Sequence, residues 1–183
     1  MMKRVLLLVL ITVGSLVTRA QDFKTAQLQA TGLTCAMCSN AINKALLELP
    51  YVESVKSEIR TSSFAIVFKS GQDVNIDGIR KAVEDAGFSV GSLKLTGRFN
   101  AVKLGDDAHV MIGKEAFHFL DVKNQVLEGE QTITVLDKGF ITAKQFKKIT
   151  NGHKMACVVS GKAASCCAGQ GITAEARVYH VTI

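Results

Sequence analysis

Hydrophobic and polar positions change period several times along the chain. Residues 25–30 alternate, with Ala26, Leu28 and Ala30 on one face, and predict a short strand. Over 39–49, Ile42, Ala45, Leu46 and Leu49 recur at helical spacing, and Pro50 ends that helix. Residues 52–60 alternate again, Thr61-Ser62-Ser63 makes a turn, and 64–68 is apolar throughout, as in a strand between two layers. Asn75 is placed to cap a second helix carrying Ile79, Ala82, Val83 and Ala86 on one side, with Gly87 at its end. A last short strand covers 92–96. The order is β-α-β-β-α-β, the split βαβ arrangement with two helices on one face of an antiparallel sheet.

Beyond Gly97 strand-like runs dominate, at 98–104, 108–112, 116–121, 131–137, 156–160 and 175–183. One helix interrupts them, because Thr142 and Gln145 have capping-box spacing and Phe146 and Ile149 follow. Many short strands around one helix suggest a small closed or partly closed, OB-like barrel. The expected class is therefore α+β, with one domain over 21–96 and a β-rich domain over 97–183, abutting near Gly97. The first is large enough to fold alone.

The N-terminus reads as an address. Lys3 and Arg4 precede an apolar run over 5–17, too short to span a bilayer, and Thr18-Arg19-Ala20 closes it with small residues. A cleavable signal over 1–20 predicts a secreted or periplasmic mature chain with no membrane span. An apolar share of 48% in 183 residues excludes a disordered chain. The net charge of +6 owes three units to the leader; the remaining 19 basic and 16 acidic residues leave +3, no nucleic-acid footprint. Basic residues do not track Phe117, Phe119 or Phe140, and Lys144, Lys147 and Lys148 read as a solvated helix face. No Ser-His-Asp array, carboxylate pair or phosphate loop is present, so the chain reads as a non-enzyme. Of the four histidines, His118 and His180 fall in strands and read as partly exposed or satisfied structural groups.

Chemistry concentrates in Gly32-Leu33-Thr34-Cys35-Ala36-Met37-Cys38, between the first strand and the first helix. Two cysteines three apart at a helix start can aim both sulfurs at one point, and the helix N-terminus favours thiolates. Two soft ligands suit a soft ion of low coordination number, Cu(I) above others, whereas structural zinc wants four. With Ser39-Asn40-Ala41-Ile42 after it, this loop resembles that of the heavy-metal-associated (HMA) domain family, which carries Gly-Met-x-Cys-x-x-Cys on a ferredoxin-like fold. Leu49-Pro50-Tyr51-Val52-Glu53-Ser54-Val55 and Glu84-Asp85-Ala86-Gly87-Phe88 resemble two further family segments, so the likeness covers about residues 23–96. It implies Cys35 and Cys38 as metal ligands and Phe88 as a ring packed near the loop. Leu33 stands where the family has methionine and would keep its core role. The implied cargo is Cu(I), with Hg(II), Cd(II) or Zn(II) behind it. The implied partner is a metal-transporting membrane protein or another metal-binding domain.

Two other functions compete. A thioredoxin-like thiol–disulfide oxidoreductase also places CxxC at a helix start, but here Thr34 precedes the pair and the only proline ends the same helix. Alternatively, the barrel half binds a ligand and the HMA half is an accessory. Cys157, Cys166 and Cys167 remain outside the motif. An exported chain could join Cys157 to Cys166 or Cys167 as a disulfide; alternatively, the three sulfurs and His153 could form a Cys3His metal set.

Overall fold

The computed structural model describes residues 22–33, 36–167 and 171–183; the expected signal over 1–20 and the residues Thr34 and Cys35 lie outside them. The first half follows the expected order: β1 Phe23–Thr31, α1 Ala36–Leu47, β2 Val52–Glu58, β3 Ser63–Phe68, α2 Ile76–Asp85 and β4 Ser89–Leu104. These strands run β2-β3-β1-β4, each antiparallel to its neighbour, which is the ferredoxin-like arrangement. Ala26, Leu28 and Ala30 point inward from β1, as their alternation predicts. Ile42 and Leu46 of α1 and Ile76, Ile79 and Val83 of α2 bury against the same face. Asn75 caps α2, its side chain accepting from the Gly78 N–H at 2.8 Å.

In β3 the apolar run misleads. Phe64, Ile66 and Phe68 are buried, but Ala65 and Val67 face solvent. No second layer covers this part of the sheet among the described residues. The β-branched Val67 there follows strand preference rather than burial.

Four further strands extend the sheet: none of them closes it. They are β5 His109–Ile112, β6 Glu115–Phe119, β7 Gln125–Val135 and β8 Val178–Thr182. The full order is β2-β3-β1-β4-β7-β8-β6-β5, one open eight-stranded sheet with β2 and β5 at its edges. The OB-like barrel expected from the strand count is thus not formed. The reason lies in β4. It runs on from the first half into the second, pairing with β1 as far as Gly97 and with β7 from Lys94 to Leu104, so the later strands continue the first sheet and do not start a separate one. Gly97 lies inside this strand, where an added Cβ would stand 2.9 Å from the Asp22 carbonyl oxygen and 3.1 Å from the Phe23 ring. A glycine there marks the close approach of β1.

Residues 156–160 also depart from expectation. They form the short helix α4 Ala156–Ser160, not a strand. Its Cys157 and Val158 sides are buried against the sheet, and that contact overrides the strand preference of Val158 and Val159. The other late helix, α3 Ala143–Gly152, carries the full capping box of Thr142 and Gln145 that its spacing predicts.

Register shows how the two faces differ. Leu95 of β4 pairs with Ile133 of β7, Val135 with Val181 of β8, and Val181 with Phe119 of β6, so the core face is continuous across the sheet. Phe23 meets Phe117 edge-on at 5.6 Å, and Phe117 stacks on Tyr179 at 5.6 Å. The opposite face is open over β3 and β1. Over β6 and β8 it is covered by α4 and a 3-10 turn, Ser165–Cys167. Arg177 ties the halves together. Its Nε donates to Asp77 Oδ2 of α2 at 2.9 Å, its Nη2 to Asp137 Oδ2 at 3.2 Å, and its guanidinium lies 4.1 Å over the Tyr179 ring.

Candidate functional site

The loop between β1 and α1 is braced from below. Gly32 adopts φ +87°, a conformation that favours glycine, and an added Cβ there would lie 3.9 Å from the Phe88 ring. Leu33 and Phe88 both pack against the core, the places the resemblance gives them. Cys38 sits half-buried in the first turn of α1, beside Met37, which is 81% exposed. Asn43 fixes the helix, donating to Ser57 Oγ at 2.8 Å and to the Val55 carbonyl at 3.3 Å. Cys35, the other expected ligand, lies outside the described residues. The described part of the loop thus offers one sulfur at a helix start, held on a rigid helix and flanked by an exposed thioether.

A second set of donors lies under α4. Cys157, Cys166 and Cys167 are free thiols whose sulfurs all fall within 4.8 Å of one another. The Cys157 and Cys166 sulfurs are 2.8 Å apart, inside ordinary sulfur–sulfur contact, and those of Cys166 and Cys167 are 3.7 Å apart. Cys157 and Cys167 are buried; Cys166 is half-exposed. The imidazole beside them is that of His118, whose Nδ1 lies 3.8 Å from Cys157 Sγ. His153, expected in this set from its sequence distance, instead meets Asp121 Oδ2 at 3.2 Å.

His118 belongs to a row. It pairs with His109 of β5 on one side and His180 of β8 on the other, so three imidazoles share one register on the covered face. The His109 and His118 rings stack at 4.0 Å, and His118 meets His180 edge-on at 5.2 Å. His118 and His180 are fully buried, so of the two readings, partly exposed or satisfied structural groups, the exposed one does not hold. β6 and β8 are covered on both faces, which an apolar strand reading of Phe117-His118-Phe119 could have signalled. Burial first, then the neighbouring His109, His180 and His153, push His118 down to about 3, so it is a neutral imidazole. Burial and the adjacent sulfurs push the Cys157 thiol up. Asp137, itself buried, meets His180 Nδ1 at 2.7 Å through Oδ1 and accepts from the His180 backbone N–H through Oδ2. The Nε2 atoms of His109, His118 and His180 are buried without a hydrogen-bond partner.

Comparison with known proteins bears on the first of these sites. Residues 27–89 match the model of the heavy-metal-associated domain, and this part of the chain is an HMA domain. Over 66 residues the chain is 38% identical to a protein named copper-transporting ATPase 1 from Rhizobium meliloti, covering 36% of this chain and 8% of that one. The chain thus spans a small fraction of that relative's length. Among solved structures, the yeast copper transporter domain CCC2A is 29% identical, with 36% of this chain and 88% of that one covered and a TM-score of 0.33. MerP from Ralstonia metallidurans, in its oxidised form, is 27% identical, with coverage of 38% and 97% and a TM-score of 0.34.

Proposed function

We propose that this chain is an exported, non-enzymatic protein that binds Cu(I) through Cys35 and Cys38 and passes it to, or takes it from, another thiol-bearing protein. The observation that carries this reading is the HMA match over residues 27–89, which contains the CxxC motif at the start of α1 with Leu33 and Phe88 in supporting places. Two thiolates leave a d10 ion coordinatively unsaturated, so a partner's thiolate can attack before either original bond breaks. The exposed approach past Met37 suits such an exchange. The leader-like residues 1–20 support export, and among the described residues no helix is long and apolar enough to cross a membrane. Hg(II), Cd(II) and Zn(II) are the lesser cargoes, and the partner is a metal transporter or a second metal-binding domain. In the first four strands every adjacent pair is antiparallel, so the βαβ units are split and no two neighbouring strands are parallel as in a thioredoxin-like enzyme.

The test is an anaerobic titration of the reduced full chain with Cu(I) against a coloured competing chelator. Cys35→Ser with Cys38→Ser should remove one tightly bound equivalent. Unchanged stoichiometry in that double variant sinks the assignment.

A further inference from the structure

We propose that Cys157, Cys166 and Cys167, with His118 as fourth donor, form a second metal site, for a closed-shell thiophilic ion, Cu(I) or Zn(II). This site uses neither Cys35 nor Cys38 and stands whether or not the reading of the HMA loop does.

The donors are the right kind: the three sulfurs lie within 4.8 Å of one another, and His118 joins them on the Cys157 side. Thiolate and imidazole are the ligands these two ions prefer. A tetrahedron with metal–sulfur bonds of about 2.3 Å has edges of about 3.7 Å. Cys166 and Cys167 are already 3.7 Å apart, and Cys157 Sγ lies 3.8 Å from His118 Nδ1. The Cys157–Cys166 separation of 2.8 Å has to open by about an ångström to reach that edge. Cys166 is the half-exposed member, and it gives the ion a way in.

The imidazole is oriented for the task. His118 Nε2 lies 3.8 Å from Asp107 Oδ1, on the side away from the sulfurs. A proton on Nε2 facing that carboxylate leaves the Nδ1 lone pair directed at Cys157, the tautomer a metal-bound histidine needs. His109 backs the ring, with its own Nδ1 3.0 Å from the Asp107 carbonyl. Binding would break three S–H bonds and release three protons to solvent, with no change of oxidation state. The three thiolates would carry −3 against +1 or +2, and enclosure by Ala116, Val158 and Val178 would slow the ion's escape.

The experiment uses the full chain with Cys35→Ser and Cys38→Ser, reduced and handled without oxygen. Cu(I) and Zn(II) are titrated separately, each against a coloured chelator, and thermal melts are recorded with and without metal. One equivalent of one or both ions should bind and raise the melting temperature, and the tighter of the two identifies the cargo. Adding Cys166→Ser, at the half-exposed position where the fold is least at risk, should abolish that shift. His118→Gln should weaken binding measurably, because it removes the imidazole donor. Bound metal should also protect all three thiols from alkylation. A folded variant that binds neither ion, or whose binding survives Cys166→Ser unchanged, overturns the proposal. So does a Cys157 disulfide that persists under these reducing conditions.

Discussion

Cys38 is half-buried at a helix start next to an 81% exposed methionine, whereas Cys157 and Cys167 are sealed between α4 and the sheet. The cause is how each half covers its sheet. In the first half α1 and α2 close one face, and the other face meets solvent. In the second half both faces of β6 and β8 are buried, so any reactive group on those strands is enclosed. The same ligand type therefore has two physical fates. A sulfur on an entry loop can be reached by a partner's thiol, and exchange needs no unfolding. A sulfur under α4 is reached only through Cys166. The contrast is one of access, and it is tested by disturbing what joins the halves or what covers the faces.

The largest effect is expected at Phe117. Its ring is fully buried between Phe23 of β1 and Tyr179 of β8, so it belongs to both halves. Phe117→Ala should cost roughly 4 kcal/mol by removing a buried aromatic and leaving a cavity. Denaturant unfolding followed by circular dichroism should show one transition, moved as a whole. A split curve with an unmoved first-half transition would show that the contrast is between two independent domains.

Arg177 comes next. Its side chain is the shared partner of Asp77 on α2 and the buried Asp137. Arg177→Met should cost about 3 kcal/mol, because Asp137 would keep its burial and lose its cation. Burial works against ionised Asp77, but Arg177's hydrogen bond and charge, the Tyr179 hydroxyl and Arg80 together hold it below the ordinary carboxylate range. Glu115 on β6 is the acidic group facing this cluster, and burial and Asp77 raise it. With Asp77 depressed in the folded state, its contribution is present above the usual aspartate value of about 3.9 and is lost as pH falls through the folded value. The wild-type chain should lose stability on acidification in that window. Arg177→Met should flatten this loss, as read from melting temperatures across an acid pH series.

How legible this was in the sequence differs between the halves for a physical reason. In the first half each element carries its own local signal: alternation at Ala26, Leu28 and Ala30, helical spacing at Ile42 and Leu46, a cap at Asn75. The CxxC motif is also local, four residues long. In the second half the decisive contacts are distant in sequence. The histidine row needs three strands in register, with His109 and His180 on either side of His118. Parallel pairing of β6 with β8 is set by tertiary packing, which periodicity does not report. Residues 156–160 read as a strand because their valines favour one. Only their place over the sheet makes them a helix. The convergence of Cys157, Cys166 and Cys167 was partly visible in their spacing, but the imidazole that joins them was not, since His118 is 39 residues away from Cys157.

The smallest effect is expected from one substitution made at two valines on the same sheet face. Val67 of β3 pairs with Thr25 of β1, which in turn pairs with Thr96 of β4, and Thr96 reaches Thr132 through a 2.7 Å hydroxyl contact. This is a polar row on the open face, and Val67 is 37% exposed within it. Threonine there keeps the β-branched shape and meets hydroxyl neighbours and water. Val67→Thr should therefore shift stability by no more than about 0.5 kcal/mol. Val178 of β8 belongs to the covered part and is fully buried with Ala116 and Leu120. The same change there encloses a hydroxyl among apolar side chains and should cost about 2 kcal/mol. Urea unfolding of both variants measures the difference. Equal costs would mean that the face over β3 and β1 is covered in solution, by a second copy or another protein. The access argument for the CxxC loop would then have to be redrawn around that contact.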